Sequence, residues 1–170
     1  MATSTSLITV EDYLKMSCDP DCEYVAGVLE ERPMGEYDHS TWQTILAAFF
    51  TGKSLELGIR ARAELRVQVS ADSFRVPDVT LLSREAPREQ IITHPPLAVF
   101  EILSPEDTMT KMLEKLADYE RMGIGGIWVV EPRKPTCYRY RSGQLAPVSE
   151  FELREKAFRV PFADIAALID

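Results

Sequence analysis

The chain has 170 residues, 45% of them hydrophobic and 27% charged, the composition of an ordinary globular domain with room for a sizeable core. No apolar run is long enough to cross a bilayer, which argues against a membrane-spanning helix. The net charge of -8 counts against a protein that holds nucleic acid by basicity alone, although a cluster of metal-binding carboxylates would account for part of that balance.

The N-terminal "MATSTSLITV" lacks both a basic stretch and a long apolar core. It does not read as a signal peptide, so the cytoplasm is the expected compartment. Thr9-Val10-Glu11-Asp12 predicts a short helix with Thr9 as its cap, running to about Met16. Cys18, Cys22 and Cys137 are an odd number, which predicts reduced thiols. His39 and His94 are the sole histidines, so nothing completes a zinc set. "CEYVAGVLEERP" predicts a hairpin turning at Ala26-Gly27. Trp42, Ile45, Leu46, Phe49 and Phe50 recur at helical spacing between about Tyr37 and Leu57, with Gly58 as the stop.

From Ile59 to Val69 apolar and polar residues alternate, which predicts one half-exposed strand. "FRVPDVTLL" predicts the next, with pairing interrupted at Pro77 because proline has no amide donor. A loop rich in proline and charge leads to a strand from Leu97 to Leu103. A second long helix covers about Glu106 to Met122 and closes at Gly123. "GIWVVE" reads as a buried strand, "TCYRYR" and "QLAPV" as a hairpin around Ser142-Gly143, and 162–169 as a last short helix. This order predicts one α/β domain over residues 1–170: a mixed β-sheet flanked by helices, with a strand–helix–strand crossover from 97 to 131.

Two acids stand inside apolar strand text, Asp78 in "RVPDVTLL" and Glu101 in "VFEIL". A packed core does not accept a carboxylate without something positive beside it. Their separation suits two consecutive antiparallel strands, whose neighbours lie about 4.8 Å apart, so both can share one cation. Hard oxygen ligands suit Mg²⁺ or Mn²⁺, and the Ile102 carbonyl can add a further ligand.

The Pro-Asp pair followed by Glu-x-Leu-Ser-Pro resembles the Uma-type restriction endonuclease family of bacteria, within the PD-(D/E)xK nuclease superfamily. "CEYVAGVL" is similar to that family's early segment, with Glu23 and Gly27 aligned. His39 stands where the family has a histidine opening its first long helix. "EKLADYERMGIGGIWVVEP" resembles the family's lysine- and tyrosine-bearing helix and tryptophan strand. The resemblance covers nearly the whole chain. It implies a restriction-endonuclease-like fold and metal-dependent cleavage of nucleic-acid phosphodiesters, DNA being the expected substrate. It implies Asp78 and Glu101 as metal ligands, Glu23 as a third carboxylate near the metal, and Lys115 as the stabilising cation. The superfamily lysine position holds Leu103 here, a departure the Uma-type group shares. Ala26, Cys22 and Lys111 depart from the family pattern as well. Small nucleases of this kind often pair, one site cutting one strand, which makes a homodimer the expectation by analogy.

Blander readings stand beside these. Glu101 can be a half-exposed strand residue with an arginine partner, and Asp78 can simply end strand pairing. Glu23 can be a solvated hairpin residue. Lys115 flanks the apolar stripe between Met112 and Tyr119 and can face water or the site. His39 can be a surface or capping residue. Arg60, Arg62 and Arg66 can touch phosphates or merely line a wet strand face. Trp42, Phe49 and Phe50 read as core or dimer interface. The rival function is a catalytically inactive module of the same fold that binds nucleic acid or a protein partner.

Overall fold

The computed structural model describes residues 7–18 and 21–169. Thr9 caps α1 (Val10–Lys15), its side-chain oxygen accepting from the Asp12 amide at 3.1 Å. The hairpin of β1 (Cys22–Val25) and β2 (Val28–Glu31) turns through Ala26 and Gly27 at φ of 47° and 90°. Both values lie in the left-handed region that a two-residue hairpin turn requires. Helix α2 (Tyr37–Gly52) buries Trp42, Leu46 and Phe50, and the single turn of α3 (Ser54–Leu57) ends on Gly58.

The alternating stretch from 59 to 69 makes two strands where one was predicted. β3 (Ile59–Ala63) stops at Glu64, whose φ is 51°, and β4 (Val67–Ser70) joins another sheet. Alternation reports which side chains are buried. One left-handed residue redirects the chain without disturbing it. "FRVPDVTLL" likewise divides into β5 (Ser73–Arg75) and β6 (Val79–Ser83), which lie in different sheets, with the break around Pro77.

The predicted crossover is present. β7 (Ala98–Ile102) and β8 (Gly126–Glu131) run parallel, joined through α4 (Met109–Met122). Thr108 caps α4, which therefore starts later than the sequence pattern implied, and Gly123 closes it at φ 94°. β9 (Thr136–Arg141) and β10 (Gln144–Val148) form the hairpin around Ser142-Gly143. A further hairpin, β11 (Glu150–Leu153) and β12 (Phe158–Pro161), was not legible in the sequence. α5 (Phe162–Ala166) follows it and is shorter than predicted.

The main sheet has the order β10-β9-β8-β7-β6-β3, and the smaller one β2-β1-β5-β4. The main sheet is mixed: β7 runs antiparallel to β6 and parallel to β8, its partner across the crossover. α2 packs on one face, where Trp42, Leu46 and Phe50 meet Phe100, Ile102 and Trp128. α4 packs on the other, where Met112, Leu116 and Tyr119 meet Val99, Ile127 and Val129. Trp42 is core, its ring stacked on Phe162 at 5.0 Å.

The expectation of reduced thiols fails for two of the three. Cys18 and Cys22 form a disulfide, because the loop after α1 brings their Cα atoms to 5.9 Å, inside the span a bridge accepts. Cys137 is free and buried, and burial pushes its thiol pKa up. No helix among the described residues is long and apolar enough to cross a membrane.

Candidate active site

Alternation along β7 decides where its glutamate goes. Ala98, Phe100 and Ile102 face α2, so Val99 and Glu101 face α4. Lys115 and Tyr119 lie four residues apart on α4, on one helical face. Both reach Glu101: the Tyr119 hydroxyl donates to Oε1 at 2.6 Å and the Lys115 ammonium to Oε2 at 3.1 Å.

β6 pairs with β7 in the register Val79 to Phe100, which sets Asp78, one residue earlier, beside Glu101. Asp78 occupies the break between β5 and β6 and not the strand itself. Its Oδ2 accepts from the Ile102 amide at 2.7 Å and lies 3.3 Å from His39 Nε2, while Oδ1 accepts from Arg32 Nη2 at 3.2 Å. Asp78, Glu101, Ile102 and Lys115 line one cavity of about 280 Å³, with Arg32 and His39 on its wall.

Glu23 of β1 stands on the far side of Lys115, with Oε1 3.0 Å from the ammonium. The same oxygen accepts from the Val76 amide at 2.9 Å, and Oε2 accepts from Arg75 Nη1 at 2.9 Å. Glu23 lines an adjoining cavity of about 270 Å³ that Arg32 and Lys115 share. Lys115 therefore bridges two sheets, with a carboxylate from each. Arg75 of β5 ties the smaller sheet to α4, since its Nη2 also lies 2.7 Å from Asp118.

Glu23, Asp78 and Glu101 are each only 3% exposed, so their charges are set by partners. Burial pushes Glu101 up to about 7 against the pull of Lys115, with Asp78 and Glu23 adding to the rise. Burial acts the same way on Asp78, but His39, Lys115 and the Ile102 amide outweigh it and hold the group below the usual range. Glu23 is also held low against burial, by Lys115 and Arg75. The hydrogen bond to Asp78 raises His39, and three carboxylates raise Lys115 despite its burial.

The structure thus brings Asp78, Glu101, Ile102 and Lys115 to one cavity and leaves Glu23 behind the lysine. Glu101 is not a strand-surface residue with an arginine, and Lys115 does not face water. Arg32, Arg75, Asp118 and Tyr119 escaped sequence reasoning as site residues. The four-residue spacing of Lys115 and Tyr119 was the one available sign. Among the described residues no group of three His, Cys, Asp or Glu side chains forms a ready metal cage. Mg²⁺ does not need one, since it is held through one or two carboxylates, with waters and substrate phosphate completing the shell. Two buried carboxylates opening on one cavity fit that demand.

A helix-flanked mixed sheet, with an acid before one central strand, an acid on the next and a helix lysine between two sheets, defines a protein of nuclease-like fold. Residues 10–161 match the Uma2 family, described as "Putative restriction endonuclease", and the chain belongs to that family. A crystal structure of "a putative nuclease belonging to DUF820" from Anabaena variabilis ATCC 29413 is similar over 94% of this chain and 98% of that one, with 24% identity and a TM-score of 0.82. A DrdV–DNA complex is similar over 72% of this chain and 10% of that one, with 16% identity and a TM-score of 0.42. No curated protein matches the chain.

Proposed function

We propose that the chain is a metal-dependent nuclease that hydrolyses phosphodiester bonds of DNA. Asp78 and Glu101 would hold Mg²⁺ or Mn²⁺, with the Ile102 carbonyl as a further ligand. The observation that carries this reading is the meeting of those two buried acids, from adjoining segments of one sheet, at a cavity that Lys115 also lines. A bound divalent ion supplies a polarised phosphate and a water of lowered pKa.

The chain's own residues do the rest. The Ile102 amide and His39 fix the Asp78 carboxylate, and Tyr119 fixes that of Glu101. Lys115 places an ammonium beside the cavity, where it offsets charge that develops on a phosphate. Glu23, anchored by Arg75, holds that ammonium from behind. Lys115 thereby takes the part that Leu103 cannot. Residues 1–170 would act as one domain, in the cytoplasm, and as a homodimer that cuts both strands.

The rival reading, an inactive module of this fold that binds nucleic acid or a protein, draws on the leucine at the superfamily's lysine position and the net charge of -8. One experiment separates the two. Plasmid and single-stranded DNA are incubated with the protein and Mn²⁺ while Mn²⁺ binding is measured by calorimetry. We expect cleavage that falls at least 100-fold in Asp78→Asn and in Glu101→Gln, with Mn²⁺ binding lost. Binding of DNA without cleavage by the unaltered protein supports the rival. Mn²⁺ binding that survives both substitutions removes the site assignment.

A further inference from the structure

Most arginines of this acidic chain are paired with carboxylates, as Arg32, Arg75, Arg121, Arg133 and Arg139 are. Arg60, Arg62, Arg84 and Arg88 have no acid partner among the described residues, and they lie together. Arg60 and Arg62 share one side of β3, opposite Leu82 and Thr80 of β6. β3 is the edge strand of the main sheet, and Arg84 and Arg88 lie in the loop that leaves β6.

Arg60 builds this corner. Only 9% exposed, it lays its guanidinium on backbone: Nη2 donates to the carbonyls of Ser83 at 2.9 Å and Ala86 at 2.5 Å. Its Nε is buried without a partner. The Arg84 amide is tied to the Gly58 carbonyl at 2.9 Å, so the loop is pinned at two points to the sheet edge. Arg62, Arg84 and Arg88 are exposed around this buried cation. Burial lowers the pKa of Arg60, and the charges of Arg88, Arg62 and Arg84 add to the drop. Gathering like charges without counter-charge is unfavourable in a free protein, and an anion relieves it.

The corner adjoins the candidate active site. Ala63 pairs with Val79, and the Glu64 amide reaches the Asp78 carbonyl at 3.3 Å. From there the arginines follow the strand away from the acids, Arg60 about 13 Å along at 3.3 Å per residue. A DNA strand advances about 3.4 Å per phosphate, so the row spans several phosphates flanking a phosphodiester held at Asp78. The chemistry that answers unpaired, exposed guanidiniums in a row is a phosphate backbone, each arginine offering a fork of donors.

We propose that Arg62, Arg84 and Arg88, braced by Arg60, form the surface that holds the phosphate backbone of duplex DNA beside the cleavage site. This deepens the nuclease reading and rests on it. It also bears on the objection from net charge, because acids such as Glu23, Asp78 and Asp118 are held in ion pairs with other cations while Arg62, Arg84 and Arg88 have none among the described residues.

The test measures binding of a fluorescent 20-base-pair duplex in Ca²⁺, as a function of salt. Arg62→Gln, Arg84→Gln and Arg88→Gln are combined in one variant. A control variant, Lys15→Gln with Lys134→Gln and Arg141→Gln, carries the same change of charge elsewhere. All six residues lie at the surface, so both variants keep the fold, which circular dichroism verifies. We expect the arginine variant to weaken binding at least tenfold at low salt and to flatten the plot of log K against log salt by about 2 to 3, near 0.9 per lost phosphate contact. The control shifts neither quantity by more than a small fraction of that. Equal losses in both variants, an unchanged slope in the arginine variant, or a wild-type protein that does not bind the duplex each overturn the proposal. Failure of the nuclease reading shows separately, as wild-type protein that binds the duplex and never cuts it in Mn²⁺.

Discussion

Lys115 is the residue on which the two halves of the site depend. It lies between Glu23 and Glu101, both buried, with its own side chain 17% exposed. Replacing it by methionine keeps the bulk of the stem and removes the ammonium that both acids contact. Glu101 then lacks a counter-charge while Glu23 keeps that of Arg75, and one buried charge left unpaired costs about 3–5 kcal/mol. We expect Lys115→Met to lower stability at pH 7 by that order in urea unfolding and to abolish DNA cleavage. Tyr119→Phe is the gentler probe. It deletes one hydroxyl that donates to a buried carboxylate at 2.6 Å, worth about 2 kcal/mol for a charged acceptor. Cleavage should fall at least tenfold through a misplaced Glu101, while far-UV circular dichroism stays unchanged. A Tyr119→Phe protein of full activity would reduce the tyrosine to packing. Asp78 and Glu101 were legible from sequence as a pattern of misplaced charge, since an acid in apolar strand text needs a cation, whereas Glu23 and Lys115 were pointed to only by the family resemblance. Tyr119 was not, because a tyrosine on an apolar stripe reads as core until the strand opposite is known to carry a glutamate.

Helix α4 transmits that placement, so its ends matter to the site. Thr108 accepts from the Lys111 amide, and Gly123 ends the helix at φ 94°. Thr108→Ala should cost about 1 kcal/mol, as loss of a cap does. Gly123→Ala should cost about 1–2 kcal/mol because a Cβ is strained in that backbone region. Both are read as lower urea midpoints, and a midpoint that holds in Gly123→Ala would mean the helix end relaxes. Elements of this kind announce themselves in sequence through glycines, caps and spacing, which is why α1, α2, α4 and the β7–α4–β8 crossover were foreseen. The division of sheets was not. Glu64 and Pro77 each mark where the chain leaves one sheet for another, and at Glu64 the hydrophobic alternation is the same on both sides of the break. Arg75 owes its role to that division, for it sits on β5 in the smaller sheet and clamps Asp118 of α4 from there. β11 and β12 went unread because their charged residues pair across the hairpin, as Arg159 does with Glu150 and Glu152, and mask the apolar faces.

The charges of the site set how the whole molecule responds to pH. In metal-free protein, Glu23 and Asp78 titrate below their ordinary values. Each contributes stability that is present above its unfolded pKa and lost as pH falls through the folded one, so acid unfolding should begin below about pH 4. Glu101 and His39 are displaced upward, Glu101 to about 7. Each contributes stability that is full below its unfolded pKa and lost as pH rises through the folded one. The four together place the maximum of stability near pH 5, with a decline between pH 5 and 8, measured as urea midpoints in EDTA. Glu101→Gln should flatten that decline, and a steeper one would reverse the assignment. A divalent cation held by Asp78 and Glu101, as proposed, would compete with the proton on Glu101, so its stabilising effect would grow along the same interval. At a Mn²⁺ concentration 100 times its dissociation constant the gain is about 2.7 kcal/mol. We expect Mn²⁺ to raise the unfolding midpoint more at pH 8 than at pH 5, and not at all in Asp78→Asn. An equal rise at both pH values would place the ion away from Glu101, at a site whose ligands do not titrate in this range.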